Sequence, residues 1–362
     1  LMFAQGFVHA QDRFWEMDFR RHITSGRLSE LFGKDQLETD KFLRTLGWRR
    51  VATAELALLK PETIALLQAY ADGVNAWLAS TSGGRDRSLE YAILGLQVKG
   101  YSPELWTPVD SVSWLKAMAW DLRGNLDDEL DRTNAAAAVG VERAEELYPE
   151  YPFALNAPIV TQGGVRGLTT FDQNAPALLN TAQTMQRITA LIEQMPAYFG
   201  QKVEGIGSNS WVVSGKYTES GKPLLANDPH LSAMMPSIWT QVGLHCEQIS
   251  SACSFDVAGW SFSGFPGVII GHNSKVGWGF TNLGPDVADL VLEKVSGDTY
   301  QVDGVDLPIQ STSETIKVAG GDDVVWVARS TKHGPLISDA SDDFAKVASG
   351  DATAVALRWT AF

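Results

Sequence analysis

The chain has 362 residues, about 2.4 times an ordinary domain of ~150, so two domains or one large one is the starting expectation. It is 44% hydrophobic and only 20% charged, with 12 tryptophans, which excludes global disorder. Lys plus Arg number 29 against 43 Asp plus Glu, a net charge of −14 that repels phosphate backbones and excludes a nucleic-acid partner. No stretch approaches the ~18 uninterrupted apolar residues of a membrane-spanning helix.

The first half reads as helix. Phe7, Phe14, Trp15, Met17 and Leu28 punctuate polar residues over 7–32. Pro61-Glu62 opens a second helix, in which Ile64, Leu67, Ala71, Val74 and Leu78 mark one apolar face. Asp110-Ser111 starts a third, running to about 123 and rich in Trp and Met. Residues 169–207 are less regular, with Asn180-Thr181-Ala182 and Pro196-Ala197-Tyr198-Phe199-Gly200, and read as a linker. From about 205 the texture becomes strand-like. Trp211-Val212-Val213, Leu224-Leu225, Val268-Ile269-Ile270, Leu290-Val291-Leu292, Val324 to Val327 and Val355 to Trp359 are short runs between Gly, Asn, Asp and Pro. The chain opens inside a helical pattern and stops directly after a strand-like one, so it reads as a fragment of a longer precursor. Cys246 and Cys253 leave open either one short bridge or two free thiols, and His245 beside them, without a CxxC pair, is a poor metal signal.

The chemistry concentrates around Gly205-Ile206-Gly207-Ser208-Asn209-Ser210-Trp211, where glycines precede a serine that leads straight into a strand. Asn227-Asp228-Pro229-His230-Leu231, Pro266-Gly267-Val268-Ile269-Ile270-Gly271-His272-Asn273, Trp278-Gly279-Phe280-Thr281-Asn282 and Gly284 to Asp289 follow it. Upstream stand His9-Ala10-Gln11-Asp12-Arg13, Ser25-Gly26-Arg27-Leu28 and Trp120-Asp121-Leu122-Arg123-Gly124-Asn125. In this order and spacing the motifs resemble the penicillin acylase family of N-terminal-nucleophile amidohydrolases, over essentially the whole chain. The resemblance implies an α+β fold, a four-layer αββα sandwich. It also implies a small-subunit part over 1–180, an excised spacer over 181–207, and the start of a large subunit over 208–362.

The implied chemistry is cleavage of a linear amide through an acyl-Ser208 intermediate, with no organic cofactor. The precursor would cut itself between Gly207 and Ser208, where glycine leaves attack unobstructed. The freed α-amine of Ser208, with a reference pKa of ~7.7–8.0, would then be the base for its own hydroxyl, so no Ser-His-Asp triad is needed. By the same resemblance His230 orients Ser208, and the backbone N–H of Asn282 is one oxyanion donor. A second donor, an Asn accompanied by an Arg, is expected beyond Phe362, which would leave the fragment inactive alone. Glu129, Asp286, the carbonyl of Ala288 and Asp289 match a calcium segment with a structural role. The acyl pocket maps to Leu231, Ile270 and Phe280, with Ala119, Arg123 and Trp359 less directly placed. Aliphatic Leu231 and Ile270 stand where benzylpenicillin-cleaving members have aromatic residues. Leu122 stands where they have an arginine, so fatty acyl amides such as acyl-homoserine lactones or lipopeptides fit as well as penicillins. The family is usually exported, so a periplasmic or secreted location and a heterodimer of two subunits cut from one precursor are expected. A non-catalytic scaffold that kept the fold is the rival reading, and an intact Gly207-Ser208 with His230 argues against it. A γ-glutamyl transferase-like enzyme is a second rival, disfavoured because its nucleophile is normally threonine.

Overall fold

A computed structural model describes residues 1–149, 152, 154–156, 175–194, 207–231, 234–251, 253–283, 286–340 and 352–362, Gly124 excepted. The first half is helical: α1 (Met2–Thr24), α2 (Ser29–Phe32), α3 (Leu37–Leu46), α4 (Trp48–Leu56), α5 (Pro61–Ser80), α6 (Leu89–Gln97), α7 (Pro108–Asp121), α8 (Asn125–Val139), α9 (Val141–Leu147) and α10 (Ala175–Gln194). Pro61 occupies the first turn of α5, where its missing N–H costs nothing. Helix α7 begins earlier than its Asp110-Ser111 signal suggests. Thr107 is the N-cap, its N–H and hydroxyl both donating to Asp110 Oδ2 at 2.7 Å, a reciprocal capping box.

Helices α1 and α5 cross at backbone contact. A Cβ at Gly6 would lie 2.1 Å from the Tyr70 carbonyl oxygen, and one at Gly73 1.9 Å from that of Phe3. Only glycine at both crossing points lets the two helices come so close. Helix α1 kinks at Arg13, whose φ of −142° leaves the helical region.

Among the described residues the second half carries thirteen strands: β1 (Ser208–Val213), β2 (Leu224–Pro229), β3 (Trp239–His245), β4 (Asp256–Phe262), β5 (Ile270–Asn273), β6 (Gly277–Trp278), β7 (Ala288–Ser296), β8 (Thr299–Val302), β9 (Val305–Pro308), β10 (Gln310–Ile316), β11 (Val324–Thr331), β12 (Gly334–Pro335) and β13 (Ala352–Trp359). They form four antiparallel sheets, in the orders β1-β2, β3-β4-β5-β6, β13-β7-β8-β9 and β10-β11-β12. Strand β13 is buried on both faces at Ala354, Val355, Ala356 and Leu357, as a continuous apolar run requires. The β1–β2 ribbon is the opposite case, with Trp211, Val212, Leu224 and Leu225 all exposed.

The helical and strand halves share one core. Phe42, Trp48, Trp120 and Leu130 pack in the same cluster as Phe262, Val355, Leu357 and Trp359. A second cluster joins Phe14, Tyr70 and Trp77 to Leu244. The stretch over 169–207, less regular by sequence, is helical from 175 to 194 as α10, and Met185 and Ile188 enter the main core. The Pro196–Gly200 stretch lies outside the described residues. Cys246 and Cys253, left open above, form a disulfide. His245 pairs with Asp256 at 2.8 Å. No helix among the described residues is long and apolar enough to cross a membrane.

Candidate active site

Ser208 is the first residue of β1, and the antiparallel register sets it opposite Pro229. One step beyond the ladder, the His230 N–H donates to the Gly207 carbonyl at 2.8 Å. The residue before Ser208 is therefore fixed by the strand partner, and its carbonyl, at the bond expected to break, is polarised by a hydrogen bond. Gly207 is exposed, and among the described residues nothing beyond its chain neighbours lies within 4 Å of where a Cβ would stand.

The His230 side chain turns to Asp228, with Nε2 2.7 Å from Oδ2. A carboxylate only accepts, so Nε2 carries the proton and, in the neutral ring, Nδ1 keeps its lone pair. Asn209 Nδ2 lies 3.4 Å from the same Nε2. Asn227 reaches across to the segment after β6: its Oδ1 accepts the Phe280 N–H at 3.1 Å, and its Nδ2 donates to the Phe280 carbonyl at 3.0 Å. Asn282, two residues on, is tethered through Nδ2 to the Leu122 carbonyl at 2.7 Å, just past the end of α7.

A second cluster lies where α8 meets β7. Glu129, Asp286 and Asp289 each place a carboxylate oxygen within 4.8 Å of the others. Asn125 organises their backbone: Nδ2 donates to Asp286 Oδ1 at 2.6 Å and to the Ala288 carbonyl, while Oδ1 accepts the Val287 and Ala288 N–H groups at 3.2 and 3.3 Å. Glu129 Oε2 accepts the Leu290 N–H at 3.0 Å. Burial pushes the Glu129 carboxyl up to about 7, and the neighbouring Asp289 and Asp286 charges add to the rise. Three hard carboxylate ligands converging in this way could hold a divalent cation.

The residues expected to line an acyl pocket separate into two groups. Trp359 is buried in the main core, edge-on to Trp120 at 5.6 Å, and the partly buried Leu231 packs against that core. Arg123 joins them by lying over Trp120 at 3.8 Å, while donating to the Trp120 carbonyl at 2.5 Å and to Asp127 at 3.0 Å. Burial lowers its pKa against the pull of Asp127 and Asp121. Its guanidinium is thus engaged in holding the end of α7. Ile270, paired with Trp260 on the β4–β5 ladder, is half-buried, and Phe280 and Ala119 are exposed. Two cavities lie elsewhere: one of about 260 Å³ is framed by Arg44, Arg49 and Arg50, and an apolar one of about 540 Å³ lies among Leu58, Leu66, Leu115 and Phe265.

Sequence reasoning quoted Asn125, Asn227 and Asp228 inside motifs without giving them work. The two asparagines act through partners that spacing cannot name, since Phe280 lies 53 residues from Asn227 and Val287 lies 162 from Asn125, whereas Asp228 meets His230 two residues on.

The penicillin amidase family model matches residues 1–362. Among curated proteins, the acyl-homoserine lactone acylase QuiP of Pseudomonas aeruginosa is 33% identical over 344 residues, covering 94% of this chain and 38% of that protein. The penicillin acylase 2 proenzyme of Pseudomonas sp. (strain SE83) is 32% identical over 338 residues, 92% of this chain and 40% of that protein. Penicillin G acylase of Escherichia coli is 26% identical over 401 residues, 99% of this chain and 46% of that protein. The chain thus spans roughly two-fifths of the length of these relatives.

Proposed function

The chain belongs to the penicillin amidase family, and on that footing we propose that the whole protein is a self-processing acylase with Ser208 as its nucleophile. The observation that carries this reading is the His230 N–H held on the Gly207 carbonyl at the mouth of β1. In the maturation step Ser208 Oγ attacks the Gly207 carbonyl carbon, the C–N bond breaks, and the acyl group shifts from nitrogen to oxygen. Water then hydrolyses the ester to a Gly207 carboxylate and a free Ser208 α-amine. In turnover that amine takes the hydroxyl proton as Oγ attacks the substrate amide, and the proton passes to the departing amine. Water releases the acid from acyl-Ser208. The Asn282 N–H stabilises the oxyanion, a contribution typically worth ~3–4 kcal/mol.

The buried helical residues of α10 support a small subunit that runs to about Gln194, with the excised segment confined to roughly 195–207. The shared core of helices and strands supports two subunits that stay together after the cut, and the four-layer αββα sandwich is the architecture proposed for the complete fold. Glu129, Asp286, Asp289 and the Ala288 carbonyl are proposed to bind calcium, pinning α8 to β7. Aliphatic Leu231 and Ile270 favour a fatty acyl chain, each buried CH₂ adding ~0.8 kcal/mol. An N-acyl-homoserine lactone or an acylated peptide therefore fits as substrate as well as a penicillin does. A periplasmic or secreted location is proposed with it.

Intact mass and N-terminal sequencing of the full-length protein, beside Ser208→Ala, test the reading. A new terminus reading Ser-Asn-Ser-Trp, absent from the variant, is expected. A folded, uncut wild type overturns the catalytic reading in favour of a scaffold protein.

A further inference from the structure

The geometry points to Asn227 as the positioning residue that sets the distance between the nucleophile strand and the oxyanion segment, a role that rests on the acylase reading above. Its side-chain amide makes three hydrogen bonds at once. Nδ2 donates to the Asn209 carbonyl at 2.9 Å and the Phe280 carbonyl at 3.0 Å, while Oδ1 accepts the Phe280 N–H at 3.1 Å. Only this orientation of the amide satisfies all three partners, because two are acceptors and one is a donor. Asn209 directly follows Ser208, and Phe280 stands two residues before Asn282. One planar group therefore spans the gap between the attacking atom's strand and the backbone N–H that is to meet the oxyanion.

Two further observations fit a device that sets distance rather than an incidental contact. The ribbon carrying Ser208 is two strands wide, so no third strand among the described residues fixes its spacing to the Phe280 segment by a ladder. And Gly279 is shaped to the clip, since a Cβ there would lie 2.7 Å from the Asn227 Cβ, Cγ and Oδ1. Those include atoms near the root of the side chain, which cannot swing away, so any larger residue at 279 displaces the amide. The same bidentate amide-to-backbone device recurs away from the site. Gln5 takes the N–H and carbonyl of Gly267, and Asn75 takes those of Trp106. Those two tie helices to loops; Asn227 alone of the three joins the elements that carry the proposed reacting groups. Misplacing a catalytic group by about 1 Å costs up to ~100-fold in rate, which is the scale on which such a spacer acts.

Asn227→Ala and Gly279→Ala break the clip from its two sides in the full-length protein. The readouts are the rate of Gly207–Ser208 cleavage by mass, the number of serines titrated to completion by a sulfonyl fluoride, and kcat and KM on a fatty-acyl amide. Expected is a fall of at least about tenfold in kcat per titrated serine in both variants, with KM within about twofold. Asn227→Asp keeps the acceptor for Phe280 N–H but loses both donors, and should fall between wild type and Asn227→Ala. Unchanged kcat per titrated serine in the clip-breaking variants, even with fewer active molecules or a lower melting temperature, overturns the positioning role and leaves a structural one. A wild type that neither cuts itself nor hydrolyses acyl amides overturns the acylase reading itself, and the role with it.

Discussion

Tyr70 and His9 share a buried hydrogen bond of 2.7 Å, and the Gly264 N–H donates to the same Tyr70 oxygen at 2.9 Å. The ring's other nitrogen, Nε2, is buried and finds no hydrogen-bond partner among the described residues. Such an imidazole is held neutral, and burial, followed by the Arg13 charge, lowers its pKa to about 4.

This fixes the sign of a pH dependence. The unfolded His9 takes up a proton near its model value of 6.5, whereas the folded one resists until about 4. Its contribution is therefore fully present above 6.5 and is lost as the pH falls from 6.5 to 4, reaching about 3 kcal/mol. Glu129 works in the opposite direction over part of that window, so the measurement must be a difference. Urea midpoints of wild type and His9→Asn at pH 7 and pH 4.5 should show the variant losing markedly less stability on acidification. Equal losses would assign the effect to other groups.

Asp18 gives a second prediction, at lower pH. Its carboxylate accepts from Tyr91 and Tyr101 hydroxyls at 2.8 and 2.7 Å and from the Arg21 guanidinium, with all but about 1% of its side chain covered. Burial opposes the charge, but Arg21, His22 and these hydrogen bonds outweigh it and hold the pKa below 3.8. The stabilisation is present above the unfolded value and disappears as the pH falls through the folded one. Asp18→Asn at pH 7 strands a buried guanidinium and should cost roughly 3–5 kcal/mol by chemical denaturation. A loss below 1 kcal/mol would show that the cluster relaxes around the change.

Glycine substitutions separate packing from propensity. Gly73→Ala forces a methyl against the Phe3 carbonyl at the α1–α5 crossing and should cost about 3 kcal/mol or more. Gly95→Ala, inside α6 with nothing within 4 Å, should instead stabilise by roughly 0.5–1 kcal/mol. Paired melting curves give both signs in one experiment.

The change from helix to strand near residue 205, the entry into α5 at Pro61 and the order of the site motifs were all legible, because each is written in local spacing. Helix α10 was missed although Met185, Ile188, Leu191 and Ile192 recur at three- and four-residue spacing. The polar, β-branched Thr181, Thr184 and Thr189 between them dilute the apolar face. The clips of Asn125 and Asn227 were illegible for a different reason. A side-chain amide states its capacity for hydrogen bonds but not its partners, and those arrive only when β7 and the segment after β6 fold against α8 and β2.

The acidic cluster was legible only through its resemblance, and the structure supplies the physical case for a test. Glu129, Asp286 and Asp289 repel one another, and the raised Glu129 pKa of about 7 measures what burial and that repulsion cost the charged form. A divalent cation removes the repulsion and binds the folded state alone, so calcium should raise the melting temperature at pH 7.5 in proportion to the logarithm of its concentration. Chelation should reverse the rise. Glu129→Gln and Asp289→Asn lessen the repulsion while removing ligand charge, so each should melt near the wild type in chelator and gain little from calcium. Magnesium, which demands tighter octahedral geometry and holds its water, should protect less. Equal protection of wild type and both variants would place any calcium effect elsewhere on this acidic surface, and no protection of the wild type would overturn calcium binding by the three carboxylates.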